Sequence, residues 1–324
     1  MNKVSKVRVL NIVVPVFNES ATISEFFRRI ESAIDSLRFP HWKVALIFVN
    51  DGSTDSTLEQ LNEIINKQNK FEVYIINLSR NFGHQQAVWA GIENSESDAC
   101  VLVMDADLQD PPEMIAEFII GLDENDVVMA RRASRSDSLA KKFFAKLFYT
   151  FLENLSGGTM RPNIGDFWAL SERAKMALLQ YSEELKYLRG LVSELGLSIK
   201  IIDYNRDSRY AGETHYSVIK MMQLAIAGIT GFTIKPLIYT VYIAIGISML
   251  LIPASIYLVW SRFAGQSTIS PGLTYVGVIL ILSISLLFGV LSILALYIAR
   301  IAIEVKKRPI YILDSVIVKG KRRK

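Results

Sequence analysis

The stretch VLVMDADLQDPP (residues 101–112) places acids immediately after an apolar run. Residues 99–104 are short, apolar and rich in Val, as expected of a strand that is buried on both faces of a sheet. Asp105 and Asp107 follow at once, two acids one residue apart at the end of this strand. In parallel sheets, ligands bind beyond the carboxyl ends of the strands. The stretch therefore predicts a ligand site at that end of a sheet.

Polar residues follow two other predicted strands in the same way. Residues 7–14 lead into PVFNE (15–19), and residues 44–49 lead into NDGSTD (50–55). Each polar group by itself is typical of a turn or a helix cap. Because three such groups follow successive strands, we interpret them together as one site.

The remaining pattern predicts the fold class. Further strands are expected at 73–76 and 126–130, and residues with helical periodicity follow Asn18 and Ser53. Strands that alternate with helices form a mostly parallel sheet covered by helices on both faces. We therefore predict an α/β, Rossmann-like domain over residues 1–213.

The acids also indicate which ligand to expect. Clustered carboxylates repel one another unless a cation lies between them, and Mg²⁺ or Mn²⁺ shared with a substrate diphosphate suits such a pair. The sequence has no Gly-rich loop ending in Gly-Lys-Ser/Thr, which excludes a P-loop. His41, His84, His215 and Cys100 lack the spacing of a zinc site, and a single cysteine excludes a disulfide framework.

The C-terminal third is apolar enough for a membrane. The 324 residues are 51% hydrophobic, with a mean hydropathy of +0.28. Two long runs lack charged residues and are separated by Arg262. They predict spanning helices at 237–260 and 274–299, which form a hairpin within residues 235–300. Before it, residues 214–234 predict an amphipathic interfacial helix, and a buried core helix is the alternative reading of the same pattern.

The charge distribution predicts the orientation in the membrane. The whole chain has 36 Lys and Arg against 32 Asp and Glu, a formal net charge of +4. Residues 300–324 alone carry nine Lys and Arg against two acids, whereas the link between the helices holds only Arg262. By the positive-inside rule both termini are expected in the cytoplasm, with residues 301–324 as a basic cytoplasmic tail.

At this point the sequence resembles the inverting family 2 glycosyltransferases of the GT-A fold, specifically the polyprenyl-phosphate glycosyltransferases. It is most similar to bactoprenol glucosyltransferases and more distantly similar to dolichyl-phosphate mannose synthases. The resemblance covers nearly the whole chain. The motifs that carry it are Val-Pro-Val-Phe-Asn-Glu (14–19), Asn-Asp-Gly-Ser (50–53), Ser-Arg-Asn-Phe-Gly (79–83), Asp-Ala-Asp-Leu-Gln-Asp-Pro-Pro (105–112), Gly-Asp-Phe (165–167), Ala-Gly-Glu-Thr (211–214) and Glu-Val-Lys-Lys-Arg-Pro-Ile-Tyr (304–311).

The resemblance implies roles for the residues that match the family. The nucleotide sugar would be held by Pro15, Phe17, Glu19, Asp51, Asp105, Ala106, Arg206 and Arg209. The metal would be held by Asp105, Asp107 and Gln109, and the acceptor phosphate would face Arg131, Arg135 and His215. Asp166 matches the catalytic aspartate. Two positions depart from the family: Trp168 replaces an Arg, which removes a permanent charge near Asp166, and His215 replaces a basic residue with one that titrates near neutral pH.

The implied activity is inverting transfer of a hexose from a nucleotide sugar to undecaprenyl or another polyprenyl phosphate. It would take place at the cytoplasmic face of a bacterial inner membrane and supply a lipid-linked sugar for cell-surface glycan modification. UDP-glucose is the leading donor; UDP-N-acetylhexosamine, UDP-galactose, a UDP-pentose and GDP-mannose stay open. The expected cofactor is Mg²⁺ or Mn²⁺, a homotetramer is one possible assembly, and no nucleic acid is expected as a partner.

The same resemblance leaves Asp166 with a restricted role. A phosphate monoester has its second pKa near 6 and is mostly dianionic at pH 7, so it hardly needs a general base. We therefore expect Asp166 to position the acceptor and donor and to stabilise charge, rather than to activate a hydroxyl group.

Three other functions compete with this one. Processive polysaccharide synthases add a Gln-x-x-Arg-Trp motif and more spanning helices, which this chain lacks. A flippase or transporter would need ionisable residues in its spanning helices, and these helices have none. A non-catalytic nucleotide-sugar binder is favoured by Trp168 and His215, and it is opposed by the intact Asp105, Asp107 and Asp166.

Overall fold

The structure is a computed structural model that describes residues 7–67, 70–132, 164–183, 186–205, 269–318 and 321–323, together with isolated positions between 242 and 264. The strands are β1 (Arg8–Val16), β2 (Trp42–Asn50), β3 (Glu72–Leu78), β4 (Cys100–Val103), β5 (Val127–Arg132), β6 (Ile164–Leu170), β7 (Ile199–Tyr204), β8 (Leu313–Val318) and β9 (Lys321–Arg323). The helices are α1 (Ile23–Ser36), α2 (Thr57–Lys67), α3 (His84–Glu93), a 3₁₀ turn (Pro112–Met114), α4 (Ile115–Glu124), α5 (Glu172–Leu178), α6 (Leu188–Glu194) and α7 (Ile269–Lys306).

The described strands form one sheet in the order β7-β5-β6-β4-β1-β2-β3-β8-β9. Strands β4, β1, β2 and β3 run parallel at its centre, and β5 pairs in parallel with β7. Strand β6 is antiparallel to both β4 and β5. The GT-A-like α/β fold with a mostly parallel centre is confirmed.

Continuous burial along the central strands shows that the sheet is covered on both faces. From Leu10 to Val16 every residue of β1 is buried. On α1 the buried residues Ile23, Phe26 and Ile30 recur at helical spacing, so one stripe of the helix faces the sheet. The core that they form holds the carboxyl ends of β1, β2 and β4 at one edge, where the predicted site lies.

The C-terminal residues differ from the predicted tail. Residues 301–324 were expected to be a separate basic segment, but β8 pairs with β3 and β9 pairs with β8. The Tyr311 hydroxyl donates a hydrogen bond to Glu93 at 2.7 Å and accepts one from Asn94 at 3.0 Å, both at the end of α3. Because β8 pairs with a strand about 238 residues away in sequence, no local pattern indicates this pairing. The other domain boundaries remain predictions.

The apolar C-terminal region is described in part. Helix α7 extends beyond the predicted 274–299 at both ends. Residues Leu286–Lys306, which include an 18-residue stretch with a mean hydropathy of 2.4, form the one segment among the described residues that is long and apolar enough to cross a membrane. Most of the other predicted spanning helix (237–260) and the whole interfacial segment 214–234 lie outside the described residues. The two-helix hairpin is therefore not confirmed.

Candidate active site

The loop after β2, residues 50–55, packs against the Ser-Arg-Asn-Phe-Gly segment before α3. The Asp51 carboxylate accepts hydrogen bonds from the backbone N–H groups of Phe82 (2.7 Å) and Gly83 (2.9 Å). Burial raises the pKa of Asp51, and these two N–H groups partly offset that effect. Gly52 has a φ of +67°, and a Cβ atom there would lie 2.4 Å from the carbonyl carbon of Arg80. This position therefore requires glycine.

The loop after β1 is joined to the β2 loop by hydrogen bonds. Asn18, with a φ of 55°, donates its backbone N–H to Ser53 Oγ at 3.0 Å, and its side chain accepts from the Thr54 N–H at 2.8 Å. The Glu19 N–H donates to Thr57 Oγ1 at 2.9 Å. Pro15 is buried at the end of β1, whereas Phe17 is 44% exposed. The two loops thus form one surface on which Phe17 is accessible.

In the turn after β4, partly exposed residues alternate with buried ones. Asp105, Asp107 and Gln109 are partly exposed, while Ala106, Leu108 and Asp110 are buried. Leu108 has a φ of 63°, a conformation that is uncommon for a residue with a side chain. Hydrogen bonds help to hold the turn: the Gln109 N–H donates to Asp107 at 3.1 Å, and the Tyr204 hydroxyl donates to Asp110 at 2.7 Å. The three residues predicted to hold a metal therefore share the accessible side.

Asp166 lies on β6, and four polar contacts surround its carboxylate. Arg189 on α6 donates through Nη2 at 2.7 Å and through Nε at 3.2 Å. Gln85 Nε2 donates at 3.2 Å, and His84 Nε2 lies 3.3 Å away. The same His84 nitrogen is 3.8 Å from Asp105. His84, the first residue of α3, thus lies between the carboxylates of Asp105, after β4, and Asp166, on β6.

The charges at this site influence one another. Burial raises the pKa of Asp105 to about 7, with a further contribution from the carboxylates of Asp110 and Asp166 and an opposing one from His84. Burial alone would raise the pKa of Asp166, but the His84 hydrogen bond and the Arg189 charge outweigh it and hold that pKa below its usual range. Burial likewise lowers the pKa of His84, but Asp105 and Asp166 outweigh it and raise the value to about 9. Asp166 is therefore ionised and His84 is protonated at neutral pH.

The family profile described as "Glycosyl transferase family 2" matches residues 11–178, which include all of the loops described above. The chain belongs to glycosyltransferase family 2. As a family member it is a transferase enzyme.

Relatives of this family 2 transferase match it along almost its full length. An uncharacterized glycosyltransferase, YkcC of Bacillus subtilis, is 37% identical over 94% of this chain and 93% of its own length. The prophage bactoprenol glucosyl transferase homolog of Escherichia coli is 33% identical over 95% of this chain and 99% of its own. Glucosyl-3-phosphoglycerate synthase of Mycobacterium tuberculosis, a solved structure, has a TM-score of 0.47 at 18% identity, covering 69% of this chain and 78% of that one. The resemblance to the bactoprenol glucosyltransferases is confirmed.

Although Trp168 stands where the family pattern has Arg, the Asp166 carboxylate of this transferase still has a permanent positive charge beside it. Arg189 supplies the charge from a helix that lies later in the chain. Trp168 itself is fully buried on β6, and its indole N–H has no hydrogen-bond partner among the described residues. It is a core residue beside the site.

Sequence reasoning missed three residues that contact Asp166. His84 and Gln85 follow directly after the Ser-Arg-Asn-Phe-Gly motif, and that position was a usable signal. Arg189 lies in no motif quoted above and carried no local signal. Its contact with Asp166 depends on α6 packing beside β6.

The predicted acceptor residues are only partly described. Arg131 lies at the end of β5 and forms a two-pronged ion pair with Asp203 of β7, with N···O distances of 2.6 and 2.9 Å. Arg135 and His215, the other predicted acceptor residues, lie outside the described residues, as do Arg206 and Arg209, which were predicted to bind the nucleotide sugar. The roles assigned to all of them remain predictions.

No three His, Cys, Asp or Glu side chains within the described parts of the chain converge in the way a metal site built only from them requires. A magnesium ion needs fewer, because it is commonly bound by one or two carboxylates together with substrate phosphates. Asp105, Asp107 and the Gln109 amide, all on the accessible side of one turn, fit that kind of site.

Proposed function

We propose that this transferase moves a hexose, with inversion, from a nucleotide sugar to the phosphate of a polyprenyl lipid. UDP-glucose is the leading donor and undecaprenyl phosphate the leading acceptor. One observation carries the proposal: His84 joins the Asp166 carboxylate to Asp105, the first acid of the turn after β4. Relatives named bactoprenol glucosyl transferases, 32–33% identical over at least 94% of this chain, support the acceptor class.

A divalent cation, Mg²⁺ or Mn²⁺, suits the turn after β4. Asp105, Asp107 and Gln109 would hold it together with the donor diphosphate. Burial, together with the neighbouring carboxylates, raises the pKa of Asp105, so a cation at this turn would relieve the repulsion between those carboxylates. When bound, such an ion neutralises negative charge that develops on the leaving diphosphate.

Asp166, His84 and Arg189 form the acceptor half of the site. His84 and Arg189 keep Asp166 ionised and fix its orientation. An ionised carboxylate stabilises the positive charge that develops on the sugar ring as the leaving group departs. Because the acceptor phosphate is already anionic, Asp166 positions the reactants and does not need to remove a proton.

The donor half of the site is formed by the loops after β1 and β2. Exposed Phe17 offers an aromatic face against which a base can pack. Asp51 is buried, and its two oxygens accept the Phe82 and Gly83 N–H groups, which holds the loop beside this surface. Glu19 borders the same surface.

We place the acceptor at the cytoplasmic surface of a bacterial inner membrane. A polyprenyl chain stays in the bilayer, so its phosphate has to be met at the surface. The apolar segment of α7, the uncharged run at 237–260 and the basic C-terminal residues support a two-helix hairpin with both termini in the cytoplasm. An interfacial helix over 214–234 and assembly as a homotetramer belong to the same proposal.

The test is a donor panel with the full-length protein in detergent. Undecaprenyl phosphate and Mg²⁺ or Mn²⁺ are incubated with labelled UDP-glucose, UDP-N-acetylhexosamine, UDP-galactose, a UDP-pentose and GDP-mannose in turn. We expect butanol-extractable label from UDP-glucose, with the anomeric configuration inverted in the product. Label from a different donor would revise the sugar, and no label from any donor would favour a non-catalytic nucleotide-sugar binder.

A further inference from the structure

Strand β8 extends the catalytic sheet with residues from the end of the chain. It pairs antiparallel with β3, with Ser315 opposite Asn77 and Val316 opposite Ile76. In sequence it follows the long apolar helix α7. The last residues of the chain therefore contact the sheet that carries the donor loops.

A buried chain of polar side chains crosses this part of the sheet. Asn77 Nδ2 donates to Ser315 Oγ at 3.1 Å, and Asn50 Nδ2 donates to Asn77 Oδ1 at 3.2 Å. Ser315, Asn77 and Asn50 are 2%, 4% and 3% exposed. The Ser315 hydroxyl donates to Asp314 at 3.0 Å, which directs its lone pairs towards Asn77. Three neighbouring strands thus contribute one polar group each.

This series of hydrogen-bonded side chains ends at the β2 loop. Asn50 Oδ1 accepts a hydrogen bond from the Ser53 N–H at 3.1 Å, and Ser53 Oγ accepts from the Asn18 N–H at 3.0 Å. Apolar side chains would fill the interior of the sheet without the cost of desolvating polar groups. Unlike apolar side chains, these polar groups fix the direction of the Asn50 amide. The amide in turn holds the backbone at Ser53.

We propose that Ser315 and Asn77 are positioning residues for donor binding. Through Asn50 they hold the β2 loop in the shape that receives the nucleotide, so donor affinity depends on the C-terminal strand. The inference rests on the proposed function in so far as that loop binds the donor. Neither residue touches the reacting atoms, so their effect falls on donor KM and leaves kcat unchanged.

The test compares two variants of the same strand in the full-length protein. Ser315→Ala removes the partner of Asn77, whereas Ile317→Ala removes a partly buried side chain that packs against the core and leaves the polar chain intact. Amide hydrogen exchange of the peptide containing residues 50–55 is measured without nucleotide. We expect faster exchange at Ser53 in Ser315→Ala and wild-type exchange there in Ile317→Ala.

Binding of UDP with Mg²⁺ and donor KM give the second measurement. We expect affinity to fall about fivefold in Ser315→Ala, which corresponds to one hydrogen bond, and further in Asn77→Ala, where both links are lost. Unchanged exchange at Ser53 in Ser315→Ala, or the same change in Ile317→Ala, would overturn the inference. Because exchange is measured without nucleotide, failure of UDP to bind the wild type would revise the donor and not this result.

Discussion

The β2 loop and the acidic cluster, which consists of Asp105, Asp107, Asp110 and Asp166, lie at the same edge of the sheet but are stabilised differently. Backbone N–H groups and uncharged side chains hold the loop, and the Asp51 carboxylate accepts two of those N–H groups. In the cluster, burial and the neighbouring carboxylates raise the pKa of Asp105, while the His84 hydrogen bond and the Arg189 charge lower the pKa of Asp166. Hydrogen bonds hold the loop in one conformation without a ligand. The cluster depends instead on the balance between its negative and positive charges. Changes in the loop should therefore alter affinity, and changes in the cluster should alter turnover.

The largest expected effect is at Asp166. Asp166→Asn removes the charge that Arg189 and His84 surround, and we expect kcat to fall by about 10³ or more because a preorganised charge is lost. Calorimetric binding of the donor nucleotide should persist. Asp123→Asn, at an exposed aspartate that pairs with Arg8, is the matched control and should retain full turnover. Near-normal kcat in Asp166→Asn would remove this residue from the mechanism.

The next largest effect tests whether Arg189 supplies the charge that Trp168 lacks. Arg189→Met should lower kcat by about 10²-fold, since an ion pair that orients Asp166 is lost. Arg189→Lys should recover part of that loss, because lysine keeps the charge but not the two-pronged geometry. Steady-state kinetics at saturating donor give the comparison. Equal kcat in the Met variant and the wild type would contradict the arrangement.

The Mg²⁺ dependence of activity tests the role of the partly exposed acids of the cluster, which the β2 loop does not share. Asp107→Asn should raise the Mg²⁺ concentration for half-maximal activity by about tenfold, as expected when a charged ligand is lost from a metal site. Removal of divalent ions with EDTA should abolish transfer, and added Mg²⁺ should restore it. Asp123→Asn should show the wild-type Mg²⁺ dependence. An unchanged dependence in Asp107→Asn would place the metal elsewhere.

In the loop, Gly52→Ala should weaken donor binding without a comparable loss of kcat. A Cβ atom at this positive φ meets the Arg80 backbone, so strain of about 1–3 kcal/mol forces the loop to shift. Donor KM and kcat are measured together. Gly196→Ala shares a positive φ but would meet no atom within 4 Å, which makes it the control for strain alone. A fall in kcat at unchanged KM would contradict the division between loop and cluster.

The smallest effect is expected at Trp168. Trp168→Phe removes an indole N–H that is buried without a partner among the described residues, but it also removes packing volume. These contributions oppose each other, so we expect the free energy of unfolding to change by about 1 kcal/mol or less. Chemical denaturation measures this, and kcat should stay within about twofold on the same reasoning about packing. A large loss of kcat would show that Trp168 contributes to the reaction.

Much of the fold could be predicted because its signals are local. The five predicted strands all exist, since a strand that is buried on both faces is apolar over most of its length. Strands β6, β7, β8 and β9 were not predicted. Strand β6 contains the Gly-Asp-Phe motif, and its pairing with β4 and β5 depends on residues far away in sequence.

The sequence alone determined the family and the acids after β4, because strand periodicity and the turn that follows are set by neighbouring residues. Only the tertiary structure brought Asp166 to Gln85 across 81 residues, to Arg189 across 23, and Asn77 to Ser315 across 238. Such contacts form when packed helices and paired strands bring distant segments together, and no local pattern encodes the partner. The position of Asp166 in the chain could be read directly from its motif, but the groups that set its charge could not.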